Sequence, residues 1–422
     1  MNVLVIGSGG REHAIIKSLK KNKRIKKIHA APGNGGISRD AECVPVKAAD
    51  ISEMTEFAVK NKIDYAVVAP DDPLSIGMVD ALEEKGIRCF GPNKAAARIE
   101  SSKVFSKNLM KNYNIPTALF ETFSDPEKAC IYLNSVSFPV VIKADGLALG
   151  KGVVIAEKLN EALAAIKEIM QDKKFGESGS KVVIEEYLYG HEATVLAFTD
   201  GKSIVPMISS MDHKRIFDGN KGLNTGGMGV IAPNPYYTEN IAETCMNKIF
   251  IPTIEALKKE GCPFKGCLYF GLMLTDKGPV VIEYNSRFGD PETQAVLSLL
   301  ETDLLDIMEA VTDEKLAGMN IKWKNEHAAC IILASGGYPQ DYKTGFLING
   351  LDKEGRAERY YDVTVFHSGT ENKENYFFTK GGRVLGITAE GPNLDSALKK
   401  AYKAIENINF EKMHFRKDIG SL

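Results

Sequence analysis

The chain has 422 residues, more than one ordinary hydrophobic core accommodates, so two to four domains are expected. Hydrophobic residues make up 44% and charged residues 26%, the balance of a soluble globular protein rather than a disordered one. A formal net charge of -2 excludes an overall electrostatic footprint for nucleic acid, and no apolar run approaches the roughly 20 residues of a membrane span.

Residues 1 to about 100 alternate strands and helices. VLVIG, KIHAA, YAVVAP and IRCFGP read as strands, and helical stretches near 13–22, 52–61 and 74–86 separate them. Near-continuous apolar character predicts a parallel sheet covered on both faces, a doubly wound α/β arrangement. The chain begins directly on a strand, so no signal peptide is expected. The lysine-rich KSLKKNKRIKK, 17–27, reads as the solvated face and end of the first helix, since no aromatic platform interleaves it.

The first strand meets Gly7-Ser8-Gly9-Gly10, and an amphipathic stretch starts near Glu12. Backbone N–H groups at such a turn favour an anion. A dinucleotide fingerprint requires a third glycine where Glu12 stands and an acid at the end of the second strand, which instead reads HAAPGNGG. A single phosphate fits better; a glycine turn without a ligand is the alternative.

Residues 101–120 read as a helix stopped before Pro116, then a strand, and 121–190 as a small α+β unit. Its centre, VVIKADGLALGKGVVIA at 140–156, fails as a phosphate-binding P-loop. Three residues, not four, separate Gly146 from Gly150, and Gly152 rather than Ser or Thr follows Lys151. A glycine-rich flap over phosphates fits a loop that joins two strands. Lys143, inside an apolar strand, needs an anionic partner, either a nucleotide phosphate or a carboxylate of the chain. VIEEYLYGHE, 183–192, ends a strand in two acids; it offers an adenine edge and a ribose acid, or simply exposed hinge acids.

From 191 to about 325 longer strands and helices continue, with a hairpin turning at Asp276-Lys277-Gly278. On PVVIEYNSRFGDPETQ, 279–294, strand alternation puts Glu283, Asn285 and Arg287 on one face and Val280, Ile282 and Tyr284 on the other. A carboxylate and an amide oxygen suit a Mg²⁺ site completed by phosphate oxygens and water, and Arg287 suits a phosphoryl group or a carboxylate; a solvated strand face is the alternative. MDHKRIFDGNKGLNTGGMG, 211–229, is a cationic glycine-rich loop too long to be only a connection. From about 326 the pattern is mostly β, closing with a helix at 394–407. Seven scattered cysteines predict buried thiols in a reducing cytoplasm, and Cys262 with Cys267 lacks the second pair a zinc site needs.

In order, GSGGREHA (7–14), APGNGG (31–36), KADGLALGKGV (143–153), MDHKR (211–215), NTGGMG (224–229) and NSRFGDPETQ (285–294) resemble the ATP-grasp ligases, and within them the phosphoribosylamine–glycine ligase family. HFRKDIG, 414–420, resembles the family's ending. The resemblance implies an α/β ATP-grasp protein with three parts. These are an N-terminal doubly wound substrate-binding domain (1–100), a catalytic domain (101–325) with a small mobile lid (about 121–190), and a mostly β C-terminal domain (326–422). It implies ATP-dependent ligation of glycine to 5-phosphoribosylamine through a glycyl phosphate, with Mg²⁺ or Mn²⁺ at Glu283 and Asn285. ATP would be held by Lys103, Lys143, Gly150, Lys151 and Gly152, with Glu185, Glu186, Tyr187 and Leu188 at the adenine and Glu192 at the ribose. Gly9, Gly10, Arg11, Glu12 and His13 would cradle the phosphoribosyl group. Asp71, Asn224, Thr225, Gly226, Gly227, Met228 and Asp290 would complete the substrate site, and Arg287, Lys214 and Asp212 would be catalytic. Asp71 stands in PDDPL where the family usually has a glutamate, which shortens any ribose contact. A monofunctional, monomeric, cytoplasmic enzyme is expected, without nucleic-acid or membrane partners.

Overall fold

The computed structural model describes residues 1–147 and 152–421. A five-stranded parallel sheet comes first, in the spatial order Glu42–Cys43, Lys27–Pro32, Asn2–Gly7, Tyr65–Val68, Arg88–Phe90. Alternate side chains of its central strand enter different cores. Val3 and Val5 pack with Ile15 and Ile16 of the Gly10–Leu19 helix, whereas Leu4 and Ile6 pack with Met54, Leu74 and Leu82. All four strand residues are fully buried, which is why the run reads as continuously apolar.

One expected helix is interrupted and another ends early. The 74–86 stretch is divided into Asp71–Ile76 and Met78–Glu83 because Gly77, at φ +98°, takes a left-handed conformation that a right-handed helix cannot continue. The helix before Pro116 ends at Asn112, with Asn114 at φ +54°. Ser102 starts it, its side chain accepting from the Phe105 N–H.

A four-stranded antiparallel sheet follows, ordered Phe120–Phe123, Val182–Glu186, Val140–Ala144, Val153–Ala156. Ile142, Ala144, Val182 and Ile184 face its helices Pro126–Leu133 and Leu159–Ile166. Register pairs Lys143 with Val183 and Val141 with Glu185, so Lys143 and Glu185 share the opposite face.

The central antiparallel sheet runs Ile204–Pro206, His191–Asp200, Lys265–Thr275, Gly278–Asn285. Here the simple alternation expected for residues 280–285 is corrected. Gly271 pairs with Glu283 but Leu272 pairs with Val281, leaving Ile282 as an extra residue in a bulge. Val281 and Tyr284 therefore enter the core together, and Val280 and Ile282 do not. Glu283 and Asn285 keep a common side beyond the bulge.

The last five-stranded sheet is ordered Met211–Asp212, Gly229–Ala232, His327–Ala334, Arg383–Gly391, Val363–His367, and takes two strands from before residue 326. Ala397, Ala401 and Ala404 of the Leu394–Ile405 helix pack on it; that helix ends two residues short of the expected 407. Among the described residues no helix is long and apolar enough to cross a membrane. The seven cysteines are free, five of them buried and Cys43 and Cys130 partly so.

Candidate active site

Residues from the segments around the four larger sheets line a cavity of about 650 Å³. Lys143 and Glu185 line it from the lid sheet, Glu283 and Asn285 from the central sheet, Arg11 and Asp71 from the first segment, and Tyr338 and Arg383 from the last.

One end is cationic. Lys103 Nζ donates to the Gly146 carbonyl at 3.1 Å, and Lys143 Nζ reaches the Ile282 carbonyl at 3.0 Å and the Glu185 carboxylate at 3.0 Å. The partner sought for Lys143 is thus a carboxylate of the chain itself. Lys107, absent from the sequence reading, approaches the same carboxylate at 3.0 Å and donates to Thr117 Oγ1 at 2.8 Å. It lies one helical turn beyond Lys103, and that i, i+4 spacing was the signal available. Burial pulls Lys107 down to about 8 and also lowers Lys103. Lys107 and Lys143 share one carboxylate and Lys103 makes no ion pair among the described residues, which leaves this end ready for an anion even with Glu283 alongside.

Gly152 also lines the cavity, whereas Gly150 and Lys151 lie outside the described residues. Glu186, Tyr187, Leu188 and Glu192 fall outside the lining. Glu186 is exposed and accepts from the Leu119 N–H at 2.8 Å, Tyr187 packs edge-on against Tyr189, and Leu188 is half-buried. Glu192 is held 3.1 Å from Lys214.

Next to the lysines sit Glu283 and Asn285. Burial raises the Glu283 carboxyl, but Lys214, Lys143 and Lys103 together outweigh it and keep it ionised. Asn285 Oδ1 accepts from Arg287 Nη2 at 3.2 Å. Arg287 is paired with the buried Glu100 at 2.8 Å, and Glu100 accepts from both the N–H and the hydroxyl of Ser286 at 2.8 Å. Arg287 Nε is buried without a partner. Burial works against the Arg287 cation, yet Glu100 and Asp71 raise its pKa overall.

Asp212 and Lys214 enter the cavity while His213, between them, points away. His213 is fixed by the Gly229 carbonyl and the Gly420 N–H, and burial pulls it to about 4. Asp212 Oδ1 is buried and unpartnered; burial, then the neighbouring charge of Glu292, pushes its pKa well up. Lys214 is raised because Glu192 and Glu283 outweigh its burial.

Asn224, Thr225 and Gly226 line the wall beside them. Gly226 donates from N to Tyr338 Oη at 3.0 Å and accepts at its carbonyl from Arg383 at 2.5 Å. Gly227 does not reach the cavity. At φ +109°, with Asp212 Oδ1 only 2.6 Å from where a Cβ would stand, no side chain fits there. Met228 is buried against Ile216 and Ala334.

At the far end Arg11, Asp71 and Asp290 converge. Arg11 donates to the Phe288 carbonyl at 3.0 Å, and Asp290 accepts from Gln294 at 2.8 Å. Burial raises Asp71, but Arg287 and Arg11 outweigh it and hold it low. Gly9, Gly10, Glu12 and His13 do not line the cavity. The Gly9 N–H donates to Glu12 Oε2 at 2.5 Å. A Cβ on Gly10 would stand 2.5 Å from Gln294 Nε2. His13 Nδ1 accepts from the His367 N–H at 2.8 Å, and Nε2 lies 3.1 Å from Asp40. These four lock the helix start to its neighbours.

Sequence reasoning missed Glu100, Lys107, Glu292, Tyr338 and Arg383. Glu292 stood within a quoted motif; Tyr338 and Arg383 carry no local pattern and are brought here by the shared last sheet.

Three family models match this chain: phosphoribosylglycinamide synthetase N domain at residues 1–100, its ATP-grasp (A) domain at 101–293, and its C domain at 328–422. The chain belongs to the phosphoribosylglycinamide synthetase family. Family members at this distance include the phosphoribosylamine–glycine ligase of Clostridium acetobutylicum, 48% identical over 420 residues, covering 100% of this chain and 99% of that one. The same enzyme from Neisseria meningitidis serogroup B is 44% identical, covering 100% of this chain and 99% of that one. The crystal structure of the Thermotoga maritima phosphoribosylamine–glycine ligase superimposes with a TM-score of 0.85 at 33% identity, covering 99% of this chain and 100% of that one. The biotin carboxylase domain of Hydrogenobacter thermophilus 2-oxoglutarate carboxylase, solved with MgADP, has a TM-score of 0.76 at 16% identity over 98% of this chain and 91% of that one, and shares the fold alone. The phosphoribosylglycinamide synthetase assignment therefore spans the whole cavity, including the walls supplied by the first and last segments.

Proposed function

We propose that this protein is an ATP-dependent carboxylate–amine ligase that joins glycine to 5-phosphoribosylamine, giving glycinamide ribonucleotide, ADP and phosphate in de novo purine biosynthesis. The observation that carries the reading is a single cavity in which three lysines, the Glu283–Asn285 oxygen pair and the Arg287 guanidinium stand in succession. Family membership supports it.

Lys103, Lys107 and Lys143 neutralise the phosphates of ATP beside Gly152 of the lid, and Gly150 and Lys151 are assigned to ATP with them. The strand end at Glu185–Leu188, of which Glu185 lines the cavity and the rest lies beyond the lining, takes the adenine, and Glu192 exchanges its Lys214 partner for the ribose. The donor set fits Mg²⁺, and equally Mn²⁺: Glu283 is held ionised and Asn285 offers an amide oxygen, both hard ligands that leave positions for phosphate and water. When bound, the ion spreads the charge of the phosphate oxygens.

A glycine carboxylate oxygen attacks the γ-phosphorus and the bond to the ADP oxygen breaks, so ADP leaves and a glycyl phosphate forms. The amine of phosphoribosylamine then attacks that carbonyl; the C–O bond to phosphate breaks, and phosphate departs with one glycine oxygen. Arg287 and Lys214 steady the charge on the transferring group and the carboxylate. Asp212, with a free buried oxygen, takes up an amine proton. Arg11, Asp71 and Asp290, backed by Asn224–Gly226 and the Gly9–His13 turn, hold the phosphoribosyl end. We assign residues 1–100, 101–325 and 326–422 as the three domains that close on this cavity. We take the enzyme to be a monomer, with every described lining residue supplied by one chain, and the free thiols support a reducing cytoplasm.

Purified protein given ATP, Mg²⁺, glycine and phosphoribosylamine should release ADP only when all are present. Glycine carrying ¹⁸O in its carboxyl should pass the label to inorganic phosphate. ADP release with another acid or amine alone overturns the substrate assignment; unlabelled phosphate overturns the acyl phosphate.

A further inference from the structure

We propose that a second cavity, where the Gly10–Leu19 helix meets the Val363–His367 strand, binds a small phosphate ester. It encloses about 270 Å³ and shares no lining residue with the first. Lys17 and Lys21 enter it from the helix end, Lys324 from the approach to the His327–Ala334 strand, and Arg356 from a loop more than 300 residues along the chain from the helix.

The lysine-rich 17–27 stretch alone reads as a solvated helix end, but a solvated face gives no reason for Lys324 and Arg356 to converge on it. Nor are these charges all satisfied within the chain. Asp40 pairs with Lys17 at 2.8 Å but also with Lys20 at 2.8 Å, and Glu390 is taken by Lys324. Lys21 and Arg356 make no ion pair among the described residues, and both are exposed at the rim. Glu390 also lines the cavity, so four cations face one carboxylate there; with Lys17 and Lys324 already paired, Lys21 and Arg356 carry the excess positive charge that an anion of more than one charge offsets.

The rest of the wall is chemically different. Ala14, Leu297, Val365 and Phe366 supply apolar surface, and Ser18, Ser298 and Thr364 line it with hydroxyl-bearing residues. Ser298 Oγ spends its proton on the Ala295 carbonyl at 2.7 Å, so among the described residues Ser18 and Thr364 are the lining hydroxyls left to donate to a phosphate oxygen. Cations on one side and apolar surface on the other match a phosphate carried by a compact organic body better than free phosphate. The Phe366 ring also stands edge-on to His13 at 5.9 Å, and the helix that carries Lys17 carries Arg11 in its first turn. A ligand here therefore bears on the helix that reaches the main cavity.

The test is calorimetric titration of the full chain at constant ionic strength with two probes, phenyl phosphate and inorganic phosphate. It is repeated on a Lys21→Ala, Arg356→Ala double variant, whose altered residues are exposed and outside the main cavity. The expected result is phenyl phosphate binding that weakens at least tenfold in the variant while basal ADP formation and thermal unfolding stay unchanged. Equal phenyl phosphate binding to both proteins overturns the site. Inorganic phosphate binding as tightly as phenyl phosphate, and lost equally in the variant, overturns the assignment to an ester.

Discussion

The Lys107 ammonium lies 3.0 Å from the Glu185 carboxylate, and both side chains are sealed from solvent. Glu185 is also shared with Lys143, so removing Lys107 leaves the carboxylate one partner rather than none. Lys107→Met is expected to destabilise the lid by about 3 kcal/mol at most, the lower end for a broken buried pair. It should raise the KM for ATP about tenfold with a smaller change in kcat. Because burial pulls Lys107 down to about 8, its charge fades above that pH. The wild-type KM for ATP should climb between roughly pH 8 and 9.5, whereas Lys107→Arg, which stays charged, should flatten the climb. A KM that ignores both pH and substitution would remove Lys107 from the nucleotide site.

Glu100 offers a cleaner separation of charge from shape. It binds Arg287 at 2.8 Å and both donors of Ser286. Glu100→Gln retains an oxygen for the Ser286 donors but removes the charge that holds the guanidinium. The expected outcome is a fall of about 10- to 100-fold in kcat with little change in the KM for ATP, since Glu100 acts through Arg287 and lies beyond the phosphates. Steady-state kinetics with ATP and glycine varied separately check this. An ATP-specific KM defect with full kcat would contradict the positioning role.

Local pattern made much of this architecture legible. The first strand announced its two-faced burial through four consecutive apolar residues, and the Lys143 strand exposed its conflict by placing a cation among valines and isoleucines. What local pattern does not encode is which distant groups resolve such conflicts. Glu185 answers Lys143 only because register places them on one face of adjacent strands. Tyr338 and Arg383 reach Gly226 only because a sheet joins segments more than 100 residues apart. The bulge at Ile282 was equally hidden, since one extra residue shifts alternation without changing composition. In the GSGGREHA turn, chemistry-bearing residues were visible but their targets were not. Arg11 faces the cavity, while Glu12 and His13 spend their polar groups on Gly9, Arg11, Asp40 and His367.

His13 makes the acid limb of stability testable. Burial outweighs the Asp40 hydrogen bond and pulls the imidazole to about 4 from an ordinary 6.5, so the fold prefers the neutral ring. A group with a depressed folded pKa contributes its full stability above the unfolded value. That stability is lost as pH falls from about 6.5 toward 4. At about 1.4 kcal/mol per pH unit the loss from His13 alone approaches roughly 3 kcal/mol. His13→Gln keeps a neutral polar group, so it should lower the urea midpoint at pH 7 yet flatten its decline between pH 6.5 and 4.5. Parallel declines for wild type and variant would mean that other groups carry the acid sensitivity.

Asp212 and Glu292 both line the main cavity, and burial raises both carboxyls, with the Glu292 charge pushing Asp212 further up. Folded-state pKa values above the unfolded ones mean that this pair favours the fold at low pH and costs stability as pH rises through its titration. The same shift governs chemistry. Asp212 accepts an amine proton only when ionised, so kcat/KM for phosphoribosylamine should show a rising limb above the ordinary carboxylate range. Glu292→Gln removes the repelling charge without removing the side chain. The limb should move to lower pH, while the KM for ATP changes little, because the three lysines are untouched. Asp212→Asn should abolish the limb and lower kcat by about 100-fold or more. A limb that stays in place after Glu292→Gln, or survives Asp212→Asn, would assign the essential proton transfer to another group.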